Sequence, residues 1–310
     1  MKLGIIVPCY NEQEVLPETA ERLLALRQLL IKRGAIEDTS RICFVDDGSK
    51  DGTWNLIEEL ANRKDGISGI KLSKNRGHQN ALMAGLFTMD GDALVSIDAD
   101  LQDDINVIEK MVAEFHNGVD IVYGVRKRRE TDSFFKRISA ELFYKFLSLL
   151  GAESINNHAD YRLMSRRAIE SLKGFKEVNL YLRGIIPLLG FRSSVVHYDR
   201  LERFAGTSKY PLKKMIALAL DGVTSFSVSP LRFIMFIGFT VFLGTVFVMI
   251  WIVWTRFFSD RAVPGWASTV LPMFFLGGVQ ILCIGVIGEY LGKIYGEVKG
   301  RPRYIIEKVI

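Results

Sequence analysis

The chain is poor in cysteine. Three cysteines among 310 residues exclude a disulfide-stapled scaffold. No two of them stand at a metal-ligand spacing. Cys9 and Cys43 lie in apolar strand contexts and Cys283 in an apolar run, so all three are expected to be buried, reduced thiols. No G-x-G-x-x-G and no G-x-x-x-x-G-K-[ST] occurs, which excludes the glycine-rich cradles of dinucleotide and P-loop binding. The first ten residues hold one lysine, a short apolar run and Pro8; they read as a strand rather than a secretory leader. The balance of 40 Lys+Arg against 35 Asp+Glu gives a net charge of +5, and no nucleic-acid partner is expected. With 49% hydrophobic and 24% charged residues, disordered, collagenous and coiled-coil classes are excluded as well.

What is present is unevenly placed. Mean hydropathy is +0.17 despite the many charges. Phe233–Trp254 runs 22 residues without a charge, and Ala262–Gly288 runs 27. About 20 apolar helical residues cross a bilayer core of about 30 Å, so two spans are expected. Lys209, Lys213, Lys214 and Arg232 precede the first run, and Lys293, Lys299, Arg301, Arg303 and Lys308 follow the second. Only Arg256 and Arg261 lie between them. The positive-inside rule then puts both termini in the cytosol. The domain reading is a cytosolic domain over 1–210, an interfacial helix over 211–231, two membrane helices over 232–295 and a cytosolic tail over 296–310.

The first 126 residues alternate short apolar strands with helical patterns. Strands are expected at Leu3–Pro8, Arg41–Val45, Ile67–Leu72, Ala93–Ile97 and Asp120–Tyr123. Helices are expected at Glu14–Arg33, Thr53–Arg63, His78–Met89 and Ile105–Asn117. Repeated βα units predict an α/β fold with a mostly parallel sheet, and ligands of such sheets bind at the carboxyl ends of the strands. The residues that follow strands one, two and four are Pro8-Cys9-Tyr10-Asn11-Glu12, Asp46-Asp47-Gly48-Ser49 and Asp98-Ala99-Asp100-Leu101-Gln102-Asp103. Asp98 and Asp100, with the Gln102 carbonyl, have the oxygen chemistry that Mg2+ or Mn2+ prefers. Each motif also has a plainer reading as a turn or helix cap. His78 opens a helix after Gly77 and reads as a capping or packing residue; His116 and His197 read as structural. The basic run Arg126–Arg129 is either a solvated loop or a contact for phosphate and headgroups. Asp132–Leu150 is amphipathic and reads either as a helix packing on the sheet or, preferred here, as an interfacial helix; Tyr210–Val228 fits a second interfacial helix.

These residues resemble the family 2 glycosyltransferases of GT-A fold, in particular the polyprenyl-phosphate glycosyltransferases that include bactoprenol glucosyltransferases and dolichyl-phosphate mannose synthases. The resemblance rests on Val7–Glu12 (VPCYNE), Val45–Thr53 (VDDGSKDGT), Asn75–Leu86 (NRGHQNALMAGL) and Asp98–Asp104 (DLQDD after Asp98-Ala99). It continues through Asp160–Ile169 (DYRLMSRRAI), Glu202–Tyr210 (ERFAGTSKY) and Leu276–Tyr295. It implies that Pro8, Tyr10 and Glu12 line the nucleotide pocket and that Asp47, with Asp46 beside it, contacts the base. Asp98, Asp100 and Gln102 would face the donor diphosphate and its metal. Asp160 and Arg162 would serve the acceptor side, and Arg126, Arg203, Ser208 and Lys209 would handle phosphates.

The implied activity is inverting transfer of a hexose, glucose from UDP-glucose, onto undecaprenyl phosphate at the bacterial inner membrane. GDP-mannose or another nucleotide sugar is the alternative donor. A processive synthase is disfavoured by the lack of any Arg-Trp pair. A non-catalytic scaffold is the remaining alternative, and the full carboxylate set argues against it. Gly277, Gly278, Gly285, Gly288 and Gly292 allow close helix packing, either between the two spans of one chain or in a homo-oligomer. A flippase partner is implied by resemblance only.

Overall fold

The computed structural model describes residues 1–126, 158–177, 182–199 and 266–310, with isolated helical positions between 234 and 254. Arg203, Ser208 and Lys209, the basic positions 127–129 and the two interfacial stretches lie outside the described residues. The chain divides into two units. The first comprises the residues up to 199 and the returning C-terminal segment Arg301–Ile310. The second comprises the helical residues between 234 and 300.

The first unit is built on one eight-stranded sheet of order β7-β5-β6-β4-β1-β2-β3-β8. The strands are β1 (Leu3–Cys9), β2 (Arg41–Asp46), β3 (Ile67–Leu72), β4 (Ala93–Ser96), β5 (Ile121–Arg126), β6 (His158–Ser165), β7 (Ser193–Tyr198) and β8 (Ile306–Val309). β1 pairs in parallel with β2 and β4, β2 with β3, and β5 with β7. β6 runs antiparallel to both β4 and β5, and β8 antiparallel to β3. The expected sheet is therefore mostly parallel, with two reversed strands. Residues read from sequence as a C-terminal tail supply the edge strand β8.

Between the strands lie α1 (Leu16–Lys32), α2 (Thr53–Arg63), α3 (His78–Thr88), α4 (Val107–His116), α5 (Arg166–Leu172) and α6 (Leu182–Leu188). Side chains of a strand alternate between faces. Leu3, Ile5 and Val7 of β1 join a core with Leu16, Leu23 and Leu30 of α1 and Ile108 and Met111 of α4. Each such fully buried aliphatic side chain contributes about 1.5–3 kcal/mol. Ile6 points the other way, toward Gly85 of α3. Among the described residues, helices thus pack on both faces, and ligands of such sheets bind at the strand ends. Cys9 and Cys43 are buried as expected, and burial pushes the Cys43 thiol up to about 12. Cys283 is half-buried rather than buried.

In the second unit, α7 (Trp266–Val298) is one continuous helix of 33 residues. Among the described residues no helix is long and apolar enough to cross a membrane. Several side chains of α7, Val270 and Leu271 among them, fall outside that description.

Candidate active site

The carboxyl ends of β1 and β2 are sewn together by short polar side chains. Asn11, in the left-handed region at φ 56, receives a lysine amide and donates its own. Its backbone N–H donates to Ser49 Oγ at 2.9 Å, and Lys50 N–H donates to its Oδ1 at 2.9 Å. Glu12 N–H donates to Thr53 Oγ1 at 2.9 Å. Pro8 is buried within β1, while Tyr10 stands 41% exposed at the rim.

Asp46 and Asp47 are both buried. Asp46 accepts the Ser49 N–H at 3.2 Å, and Asp47 accepts the backbone N–H groups of Arg76 at 2.7 Å and Gly77 at 2.9 Å. Burial raises the pKa of both carboxyls, and the backbone donors partly offset the rise. Asp47 therefore holds the turn before α3. Gly48, at φ +65, lets that turn close in: a Cβ there would sit 2.6 Å from the backbone of Lys74 and Asn75.

Asp98, Asp100 and Gln102 follow β4 directly. Gln102 N–H donates to Asp100 Oδ1 at 3.1 Å, closing a local turn. Leu101 takes φ 55 there and is buried at 5% exposure; its apolar contacts offset a left-handed cost of about 1–2 kcal/mol. Thr19 Oγ1 of α1 donates to the Ala99 carbonyl at 2.7 Å and pins the same loop.

Asp160 reaches this point from β6. The antiparallel register pairs Ser96 with Arg162. Continued two residues, it sets Asp98 opposite Asp160, 62 positions away in sequence. Ser96 Oγ donates to the Asp160 carbonyl at 2.5 Å. The Asp160 carboxylate receives Arg162 Nη2 at 2.6 Å and Arg183 Nε and Nη2 at 3.3 and 3.4 Å. Burial works against its charge, but Arg162, Arg183 and His78 hold it well below the usual carboxylate range. Asp98 moves the other way. Burial raises it, the neighbouring Asp103, Asp160 and Asp100 add to the rise, and His78 opposes it.

Arg162 is fully buried, and its Nε and Nη1 have no hydrogen-bond partner among the described residues. Burial pushes its pKa down and Asp160 pulls it back up. Such a guanidinium is held in place by Asp160 as much as it holds Asp160.

The structure thus brings Asp98 and Asp160 together, with Arg162 behind them and Asp100 and Gln102 on the adjoining turn. Arg126 is placed elsewhere in its bonding: Nη2 and Nε donate to the buried Asp103 at 2.9 and 3.2 Å, and Nε reaches Tyr198 Oη at 3.2 Å. Two further residues of the cluster were not singled out from sequence. Arg183 sits on α6 with no motif around it. His78, read as a cap or packing residue, places Nε2 3.4 Å from Asp98 and 3.9 Å from Asp160; the cap position belongs to Gly77. Among the described residues no group of three or more His, Cys, Asp or Glu is arranged to hold a metal ion by itself.

Known proteins resemble this chain over its full length. The uncharacterized glycosyltransferase YkoT of Bacillus subtilis (strain 168) is 50% identical over 309 residues, spanning 98% of this chain and 91% of its own. The SfII prophage-derived bactoprenol glucosyl transferase of Shigella flexneri is 40% identical over 309 residues, spanning 99% and 98%. The mannosyltransferase PcManGT from Pyrobaculum calidifontis, solved in complex with GDP-Man and Mn2+, shares 18% identity and a TM-score of 0.51 over 72% of this chain and 63% of its own. That last likeness concerns the α/β GT-A fold alone. The sequence profile of Glycosyl transferase family 2 matches residues 4–173. More than half of the chain fits that profile and the relatives match end to end, so this protein is a transferase of glycosyltransferase family 2.

Proposed function

We propose that the protein is an inverting hexosyltransferase, anchored in the bacterial inner membrane, that moves glucose from UDP-glucose onto undecaprenyl phosphate. The observation that carries this reading is the end-to-end match, at 40% identity, to a bactoprenol glucosyl transferase. The match extends beyond the nucleotide domain into the apolar C-terminal segments. The charge-free run Ala262–Gly288 of the sequence would be one span. The first run, Phe233–Trp254, would be the second span. Both termini and the catalytic domain then face the cytosol. Close packing through the glycines of α7, a homo-oligomer and a downstream flippase belong to the same reading.

The site chemistry agrees. The acceptor is an anionic phosphate oxygen, with a second pKa of about 6, so it needs little help from a base. That oxygen forms a bond to the anomeric carbon as the bond to the donor's diphosphate breaks. The electron pair leaves on the nucleoside diphosphate, and the anomeric centre inverts. Asp160, held ionised by Arg162 and Arg183, orients the acceptor side. The Arg183 guanidinium, 40% exposed beside Asp160, carries a planar fork matched to a phosphate. Tyr10, exposed at the end of β1, offers a flat surface to the nucleotide base.

The donor set of Asp98, Asp100 and the Gln102 carbonyl fits a hard divalent cation. Mg2+ and Mn2+ take oxygen ligands and are commonly held by one or two carboxylates plus substrate phosphates, so the lack of a third protein carboxylate is consistent. Such an ion would neutralise the charge of the departing diphosphate.

A donor screen tests the reading. Membranes carrying the protein are incubated with undecaprenyl phosphate and each labelled nucleotide sugar, with and without EDTA. Acid-labile lipid-linked glucose, formed from UDP-glucose and lost with EDTA, is the expected result. A lipid product from GDP-mannose instead would change the donor. Polymer or free sugar without lipid product would overturn the acceptor.

A further inference from the structure

We infer that His78 is a positioning residue of the transfer reaction: its imidazole ties the donor-side Asp98 to the acceptor-side Asp160, and Asp47 fixes it there through the backbone of Gly77. The inference rests on the reading above, in which those two carboxylates serve opposite substrates.

Three observations support it. First, His78 Nε2 lies 3.4 Å from Asp98 Oδ1 and 3.9 Å from Asp160 Oδ2. No other nitrogen-bearing side chain among the described residues comes within ion-pair distance of both. The imidazole nitrogen thus stands near two carboxylate oxygens that otherwise repel. Second, folding does not require an imidazole at this position. The side chain is 41% exposed, whereas Ala81, Leu82, Met83, Ala84 and Leu86 of the same helix are buried and make its packing. Third, the position of the ring is imposed from below. The buried Asp47 accepts the N–H groups of Arg76 and Gly77. Asn80 Nδ2 donates back to the Arg76 carbonyl at 2.8 Å. Gly77 turns the chain at φ +90 into α3. A carboxylate of the second strand motif therefore acts on the fourth-strand motif through one turn and one histidine.

Removing the imidazole lets the two carboxylates drift apart. Misplacement of reacting groups by about 1 Å costs up to about a hundredfold in rate, and the loss falls on kcat when ground-state binding is unchanged.

The test compares His78→Ala and His78→Gln with the parent chain in detergent or membranes. Lipid product and released nucleoside diphosphate are both followed, together with thermal unfolding. His78→Ala is expected to lower kcat at least about tenfold, with donor KM within about threefold and an unchanged melting temperature. His78→Gln, which retains an N–H donor, should recover part of the loss. A His78→Ala chain with kcat within about threefold of the parent overturns the inference. So does a loss confined to donor KM, or one matched by a drop in melting temperature. If the parent chain releases nucleoside diphosphate without forming lipid product, the acceptor reading fails. His78 is then judged on that release, where the same kcat loss supports the inference and its absence overturns it.

Discussion

Two acidic corners stand at the same end of the sheet and do opposite work. Asp46 and Asp47, after β2, are buried, and their carboxylates accept backbone N–H groups from neighbouring turns. Asp98 and Asp160, at the ends of β4 and β6, face nitrogen-bearing side chains instead: His78 for the first, and Arg162, Arg183 and His78 for the second. The first pair braces the chain, since each of its carboxylates accepts backbone N–H groups. The second pair keeps a share of its surface open, with the Asp98 side chain 38% exposed. Identical residue types thus differ in what donates to them, backbone N–H groups at one corner and side chains at the other.

Substitutions should separate the two corners. The largest effect is expected within the second. Asp98→Asn should lower transfer about a thousandfold, the scale of losing one electrostatic contact to a developing charge. It should change stability little, because the Asp98 side chain is 38% exposed. Asp160→Asn should lose comparable activity and also unfold earlier, since it strands the buried Arg162 guanidinium, a defect of about 3–5 kcal/mol. Labelled lipid product and thermal melts read both. Equal melting temperatures for the two variants would contradict the assignment of Arg162 as a charge dependent on Asp160.

At the other corner, Asp47→Ala leaves two backbone N–H groups without their acceptor, at about 1–3 kcal/mol each where they are buried. Stability should fall first, and activity should fall with it as the turn carrying His78 loosens. Hydrogen exchange at Arg76 and Gly77 should accelerate. Unchanged protection there would remove Asp47 from its structural role.

The smallest effect concerns a third aspartate that belongs to neither corner. Asp120 accepts from both Nε and Nη2 of Arg167 and from Ser165 Oγ, and the Arg167 bonds, with Ser165 adding to them, lower its pKa. A folded-state pKa below the unfolded value means the stabilisation is present above the usual carboxylate range. It disappears as pH falls below about 4. Between about pH 5 and 3, the melting temperature of Asp120→Asn should therefore drop less than that of the parent. A parallel drop in both would show that this pair contributes nothing to acid sensitivity.

Much of the framework was legible locally. The alternation of apolar runs and helical periods locates α2 and β3 to the residue and the other early elements within a few positions, because burial of one face imposes its period on the sequence. The motifs after β1, β2 and β4 were also readable as strand-end residues. The antiparallel strands β6 and β8 were not. β6 follows a stretch whose pattern says nothing of direction, and β8 is four residues, Ile306–Val309, read from sequence as part of a tail. Arg183 lacked any surrounding motif. His78 was visible as a helix-opening residue, but its neighbours are 20 and 82 positions distant.

By itself the sequence determined the layered α/β framework, the family and the order of acidic motifs along the chain, because those depend on local periodicity and on residue types at strand ends. Tertiary structure alone decided which acids meet. The β4–β6 register brings Asp98 to Asp160, and the Asp47-bound turn brings His78 between them. Pairing across a sheet is set by the packing of whole strands, and that is a property no short stretch of sequence contains.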